Sequence, residues 1–213
     1  MKIEIWSDVM CPFCYIGKRK FETALAQFEH KNEVTVEWKS FQLDPNTVTD
    51  ASKNTLEHLV ESKGWTMDYT KQTIAHVTET AKEVGINFHF ENTIVANSFH
   101  AHRLLHLAKT HNLQNQCKEL LLAAYFTEGK NIDDQDVLKN IGLQIGLDNN
   151  EVSDLLASNQ FADEVTNDIY HAQQVGVRGV PFFVLGNKYA ISGAQSSETF
   201  LAVLTQTWNE TVK

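Results

Sequence analysis

Apolar and polar residues alternate from the first residues of the chain. Between Lys2 and Ser7, Ile3 and Ile5 fall on one face, which predicts a β-strand. From Tyr15 to about Phe28 the period lengthens, with Phe21, Leu25 and Phe28 at helical spacing. Alternation returns between Val34 and Leu43 through Val34, Val36 and Trp38. Its phase slips near Ser40, which predicts a bulge or the strand's end, and Pro45-Asn46 closes the segment. A strand–helix–strand opening normally makes a parallel pair.

From about Thr55 to Gln174 the period is helical throughout. Ile74, Val77, Ala81 and Val84 make one apolar stripe, Ala101, Leu104, Leu105 and Ala108 another, and Val137, Ile141 and Ile145 a third. Gly64, Gly85, Gly129 and Gly146 punctuate these runs as helix stops. Strands reappear at Phe182 to Leu185 and Lys188 to Ser192, flanking the turn dipeptide Gly186-Asn187. A last helix is predicted from about Ser197 to Trp208, with Ser196 or Ser197 as its N-cap. No repeat, low-complexity tract or Pro/Ser-rich linker interrupts the chain. The pattern therefore reads as one α/β domain, residues 1–50 and 176–213, carrying residues 51–175 as a helical insertion.

Composition narrows the function. The 213 residues are 42% hydrophobic, enough for a sizeable core. A net charge of -9 argues against nucleic acid as a partner, since phosphate backbones attract basic surfaces. Mean hydropathy is -0.30, and no run approaches the ~18 apolar residues of a membrane span. The opening MKIEIWSDV has neither a long apolar run nor a small-residue cleavage site, so no signal peptide and a cytoplasmic location are expected. The acceptor-like triplet Asn209-Glu210-Thr211 then reads as a chance match. Nothing in the sequence fixes an oligomeric state.

Two of the three cysteines stand together in SDVMCPFCYIG, as Cys11 and Cys14. Zinc needs about four ligands. There is no second cysteine pair, and His102 and His106, at i, i+4, have no acid between them, so no metal is expected. A structural disulfide this short would close a tiny loop and add little stability. A redox role has a mechanism. Cys11 falls where a strand gives way to a helix, with Cys14 one turn on and on the same side. The free amides and dipole at a helix start favour an anion, so a lowered Cys11 pKa is expected. Pro12 suits the first helical position, where its missing N–H costs nothing. Cys11 would attack and Cys14 resolve the mixed disulfide. The third cysteine, Cys117, lies on an apolar stripe and reads as a small core residue.

The string SDVMCPFCYIGK, with AHRL at 101–104, AYFTEG at 124–129 and GVRGVPFF at 176–183, resembles the FrnE-like branch of the DsbA family of thioredoxin-fold oxidoreductases. The resemblance runs from about Ile3 to Gln195. It implies an α/β thioredoxin fold, with a large all-helical insertion between the βαβ half and the C-terminal ββα half. It also implies thiol–disulfide exchange with protein or small-molecule thiols, glutathione among them, and no cofactor. Pro181 would form a cis bond with Val180 facing the disulfide, and Val180, Pro181, Pro12 and Phe13 would line the substrate cleft. The DsbA pattern has histidine where Phe13 stands, which implies a weaker oxidant here.

Supporting residues are expected around this centre. Asp8 would fix the loop or relay a proton. His102 and Arg103 would line the groove or make interdomain salt bridges. Trp6, Tyr125 and Phe126 read as packing residues. Two rivals remain open. One is a glutathione-dependent isomerase or transferase of the kappa-like class, whose members carry serine where Cys11 stands. The other is a non-catalytic chaperone or binding module on the same scaffold.

Overall fold

The computed structural model describes residues 1–211. The final two positions of the expected stretch 176–213 lie outside the described residues. The chain divides into two compact units, Met1–Leu43 continuing from Thr166 onward, and Asp44–Val165.

The first unit is built on a four-stranded sheet. Strand β1 (Lys2–Ser7) leads into helix α1 (Pro12–Gln27) and then β2 (Thr35–Ser40), and the two strands pair in parallel from Lys2↔Thr35 to Ser7↔Ser40. The phase slip near Ser40 marks the true end of β2. β1 is central, and its other edge pairs antiparallel with a late strand, Phe182–Leu185, from Ile3↔Leu185 to Trp6↔Phe182. That strand pairs in turn with Tyr189–Ser192. Gly186 and Asn187 turn between them with φ of 58° and 55°, a conformation that costs glycine nothing and asparagine little. Lys188 N–H closes the turn on Leu185 O, so the last strand starts one residue later than the alternation suggests.

Period-2 alternation on β1 places Ile3 and Ile5 on one face and Trp6 on the other. Ile3 and Ile5 are fully buried with Phe21 of α1, Trp38 of β2, and Phe183 and Phe200. The Phe183 and Phe200 rings stand edge to face at 4.6 Å. Removing one such ring costs about 3–5 kcal/mol. Phe200 comes from the C-terminal helix Ser197–Thr211, which covers this face beside α1. Ser196 is its N-cap, its Oγ accepting from Thr199 N. The opposite face carries Trp6, whose indole N–H donates to Asp168 O at 3.0 Å.

The second unit is mostly helical. It contains α2 (Thr55–Lys63), α3 (Met67–Lys82), α4 (Phe99–Thr110), α5 (Gln114–Phe126), α6 (Gln135–Gln144) and α7 (Asn149–Ala157). Asn54, Thr66, Asp134 and Asp148 cap α2, α3, α6 and α7 by accepting backbone N–H groups. Gly64, Gly85, Gly129 and Gly146 all have positive φ, as helix stops require. The periodicity does not show the short antiparallel ribbon of β3 (Asp50–Asn54) and β4 (Ile94–Val95). The first of these strands reads DASKN and the second is two residues long, so neither carries an alternation to detect. Helix α8 (Ala162–Val175) follows, and then β5 and β6, the antiparallel pair already described, and α9, the C-terminal helix.

Candidate active site

Cys11 is the N-cap of α1, in extended conformation, and Pro12 occupies the first helical turn. Cys11 N–H donates to Asp8 O at 3.4 Å, and Cys14 N–H donates to Cys11 O at 3.0 Å. These two links fold the turn between β1 and α1 and place Cys14 one turn into the helix. Both cysteines are buried and reduced. The Cys11 thiol donates to Val180 O at 3.4 Å, and the Val180–Pro181 peptide bond is cis. Pro181 O in turn accepts from Gly193 N at 2.8 Å, tying the proline loop to the end of β6. Pro12 and Val180 are half-buried, Pro181 is buried, and Phe13 stands out at 45% exposure.

Asp8 is buried at the base of this turn. Oδ1 accepts from Met10 N at 3.3 Å and Oδ2 from Leu43 N at 2.8 Å. The carboxylate thus shapes the cysteine turn and binds it to the segment beyond β2. Leu43 itself is 54% exposed. Two residues matter to this unit that periodicity does not single out. Gly17, on α1, faces Pro181 so closely that a Cβ would lie 2.8 Å from Pro181 Cγ. Asp168, on α8, takes Ser40 N at 2.9 Å and Lys39 Nζ at 3.1 Å. A glycine inside an otherwise regular helix was the available signal for the first; nothing in the sequence marked the second.

The Cys11 thiol is held well above the ordinary thiol range. Its hydrogen bond with Cys14 is the main cause, followed by burial, the charge of Cys14 and, more weakly, that of Asp8; the Cys14 backbone works the other way. The expected lowering by the helix start is therefore outweighed. A helix terminus contributes ~0.3–1 kcal/mol at the surface and ~2 kcal/mol at best, whereas burial alone moves a titrating group by up to several pH units. The resting Cys11 thiol therefore keeps its proton, which it donates in a hydrogen bond to the Val180 carbonyl.

His102 and Arg103 belong to α4 in the second unit. Arg103 is buried and its guanidinium is committed. Nε donates to Gln160 O at 2.7 Å, Nη2 donates to the carbonyls of Leu155 and Ser158, and Nη1 meets His100 Nδ1 at 3.0 Å. It fastens the end of α7. His102 is fully buried in the same helix. Cys117 is fully buried in α5, and burial pushes its thiol far up, as a core residue requires. Among the described residues no group of three or more His, Cys, Asp and Glu side chains could hold a metal ion. No helix among them is long and apolar enough to cross a membrane.

A parallel βαβ unit joined to an antiparallel ββα unit, with C-x-x-C opening the first helix and a cis-proline loop beside it, defines a thioredoxin-fold oxidoreductase of the DsbA kind. The model of the DSBA-like thioredoxin domain matches residues 2–205, and the chain belongs to that family. It is 29% identical over 210 residues to the uncharacterized protein YwbO of Bacillus subtilis (strain 168), covering 93% of this chain and 92% of that one. A probable DsbA oxidoreductase from Streptomyces coelicolor is 36% identical and superposes with a TM-score of 0.92 over 99% of this chain and 91% of its own. The cytosolic disulfide reductase DsbM from Pseudomonas aeruginosa, solved with GSH, is 16% identical with a TM-score of 0.70, over 98% of this chain and 100% of its own, a likeness of fold.

Proposed function

We propose that this protein is a thiol–disulfide oxidoreductase that exchanges electrons between the Cys11–Cys14 pair and the disulfides or thiols of proteins, with glutathione as exchange partner. One observation carries the reading: Cys11 Sγ sits at the mouth of α1, one turn from Cys14, and reaches Val180 O at 3.4 Å beside Pro181. That carbonyl is a backbone acceptor an extended substrate strand needs. A substrate N–H arriving at Val180 competes with the Cys11 thiol for it. The proton that the resting Cys11 thiol holds is then released as the substrate docks.

The exchange balances as follows. The Cys11 thiolate attacks one sulfur of a substrate disulfide, and the other sulfur leaves and takes up a proton. Cys14 loses its proton and attacks Cys11 Sγ in the mixed disulfide. The second substrate thiol departs, and two electrons have passed from the pair to the substrate. Two glutathione thiols restore the dithiol and become glutathione disulfide. The same steps run backward when the substrate is a dithiol. No metal or organic cofactor enters.

Phe13 gives the thiolate no charged donor, which supports a pair less oxidising than one with histidine there. The sequence strings support placement in the FrnE-like branch. The cytosolic description of DsbM supports a cytoplasmic setting. The two-cysteine centre speaks against the kappa-like isomerase reading, and the thiol held on Val180 speaks against a purely non-catalytic module. Insulin reduction driven by glutathione tests the proposal. Acceleration by the native chain and none by Cys11→Ser is expected; equal rates from both would refute it.

A further inference from the structure

Helix α1 meets the proline loop at two levels, and the second level is unexplained by the chemistry of the cysteines. The first is the Cys11 thiol on Val180 O. The second is Gly17, where a Cβ would stand 2.8 Å from Pro181 Cγ and 3.5 Å from Ala194 Cβ. Gly17 lies inside a regular helix, outside the positive-φ region, so its backbone does not need glycine. Glycine in a helix interior is less favourable than alanine. The absence of a side chain is therefore what the position uses.

The contact is also braced. Gly193 N–H holds Pro181 O at 2.8 Å, Lys20 Nζ reaches Ala194 O at 3.4 Å, and Ser197 Oγ donates to Lys20 O at 2.9 Å. These bonds draw α1, the proline loop and the turn before α9 together around Gly17. Pro181 is buried and its ring is no flexible side-chain end, so it yields only if the loop moves. A loop pushed outward carries Val180 O away from Cys11.

We propose that Gly17 is a specificity-determining position: its missing side chain seats α1 against the proline loop and fixes the gap in which an extended peptide disulfide, as opposed to a small disulfide, is aligned on Cys11. The proposal rests on the oxidoreductase reading. A peptide strand must bond Val180 and present its sulfur to Cys11 at once, so it feels the gap. A small disulfide needs only access to the sulfur. Displacement by about 1 Å can cost up to ~100-fold when a reaction depends on alignment.

The test compares glutathione-driven reduction of a peptide disulfide, insulin, with single-turnover reduction of the small aromatic disulfide DTNB by the pre-reduced protein freed of glutathione, which reacts with DTNB directly. Gly17→Ala is expected to lower kcat/KM for insulin about tenfold, chiefly through KM, and to leave the DTNB rate within about twofold. Ser197→Ala removes one brace without crowding the contact and is expected to show the same split at about two- to threefold. It decides the matter if Gly17→Ala does not fold. Equal losses on both substrates, or none, in the variant that folds would overturn the role of Gly17. A native chain inactive on insulin would instead sink the oxidoreductase reading itself.

Discussion

Cys11 and Cys117 are both buried, both free and both held above the ordinary thiol range, yet their surroundings differ in kind. Cys117 sits one turn into α5, and burial is the main cause of its shift. Cys11 sits at a helix mouth, where a second sulfur, a backbone carbonyl and a buried carboxylate converge, and burial ranks second among the causes. Burial alone therefore does not separate Cys117 from the thiol proposed to react. What separates them is whether the proton has somewhere to go. At Cys11 it is shared with Cys14 and lent to Val180 O; at Cys117 no such exchange partner stands among the causes of its shift.

The sharpest way to break this contrast is to remove each sulfur in turn. Cys11→Ser is expected to bring insulin reduction down to background. Cys117→Ser should leave the catalysed rate intact while lowering stability by about 1–3 kcal/mol, the cost of a hydroxyl in an apolar site. Urea unfolding beside the insulin assay reads both. Comparable activity losses in the two variants would erase the distinction.

The next effect concerns the sheet face opposite α1. Burial opposes the charge on Lys39, but Glu37 at 2.7 Å and Asp168 at 3.1 Å outweigh it and hold its pKa above the usual lysine value. Asp168→Ala leaves Ser40 N–H without this acceptor and Lys39 with one fewer anion, and should destabilise by about 2–3 kcal/mol. A raised lysine pKa gives stability that is complete below the lysine's unfolded value and fades as pH climbs through the folded one. The gap between native and variant unfolding midpoints should therefore be constant near neutrality and narrow above pH ~10.5 to the part that comes from Ser40 N–H.

A smaller shift is expected at the pair itself. The Asp8 anion pushes Cys11 up, so Asp8→Asn should move the pH profile of alkylation by iodoacetamide slightly toward lower pH. A shift toward higher pH would show that the carboxylate acts only through the Met10 and Leu43 amides. The least effect lies far from the cysteines. Lys188, then Tyr189 and Gln206, hold the exposed Glu210 carboxyl down to about 2. A depressed carboxyl gives stability that is present above its ordinary value, 4.5, and is lost as pH falls toward 2. Glu210→Gln should lower the thermal midpoint slightly at pH 7, and the difference should vanish near pH 2.

Much of this was legible in the residues. Alternation at Ile3 and Ile5, the slip at Ser40 and the Gly186-Asn187 turn prefigure the sheet, because strand register follows directly from a period of two. C-x-x-C at a strand–helix junction was readable because neighbours along a helix are fixed by its pitch. The thiol's proton affinity was not. The helix start and the Cys14 sulfur, the main cause, are local, but burial, the next cause, exists only in the packed fold, and the Val180 carbonyl that takes the thiol proton lies 169 residues away in sequence. Arg103, expected to ion-pair or to line a groove, is held instead by three backbone carbonyls and by His100, and no pattern of side chains announces the carbonyls. The β3–β4 ribbon escaped because its residues are polar and few.

The most direct measurement is a redox titration in glutathione buffers, read by mass-resolved alkylation of each cysteine. A single two-electron transition is predicted, in which Cys11 and Cys14 lose their alkylation together, as an intramolecular disulfide forms, and Cys117 stays reduced throughout. Failure of Cys11 and Cys14 to link at any glutathione ratio, or a transition that runs through Cys117, would contradict it.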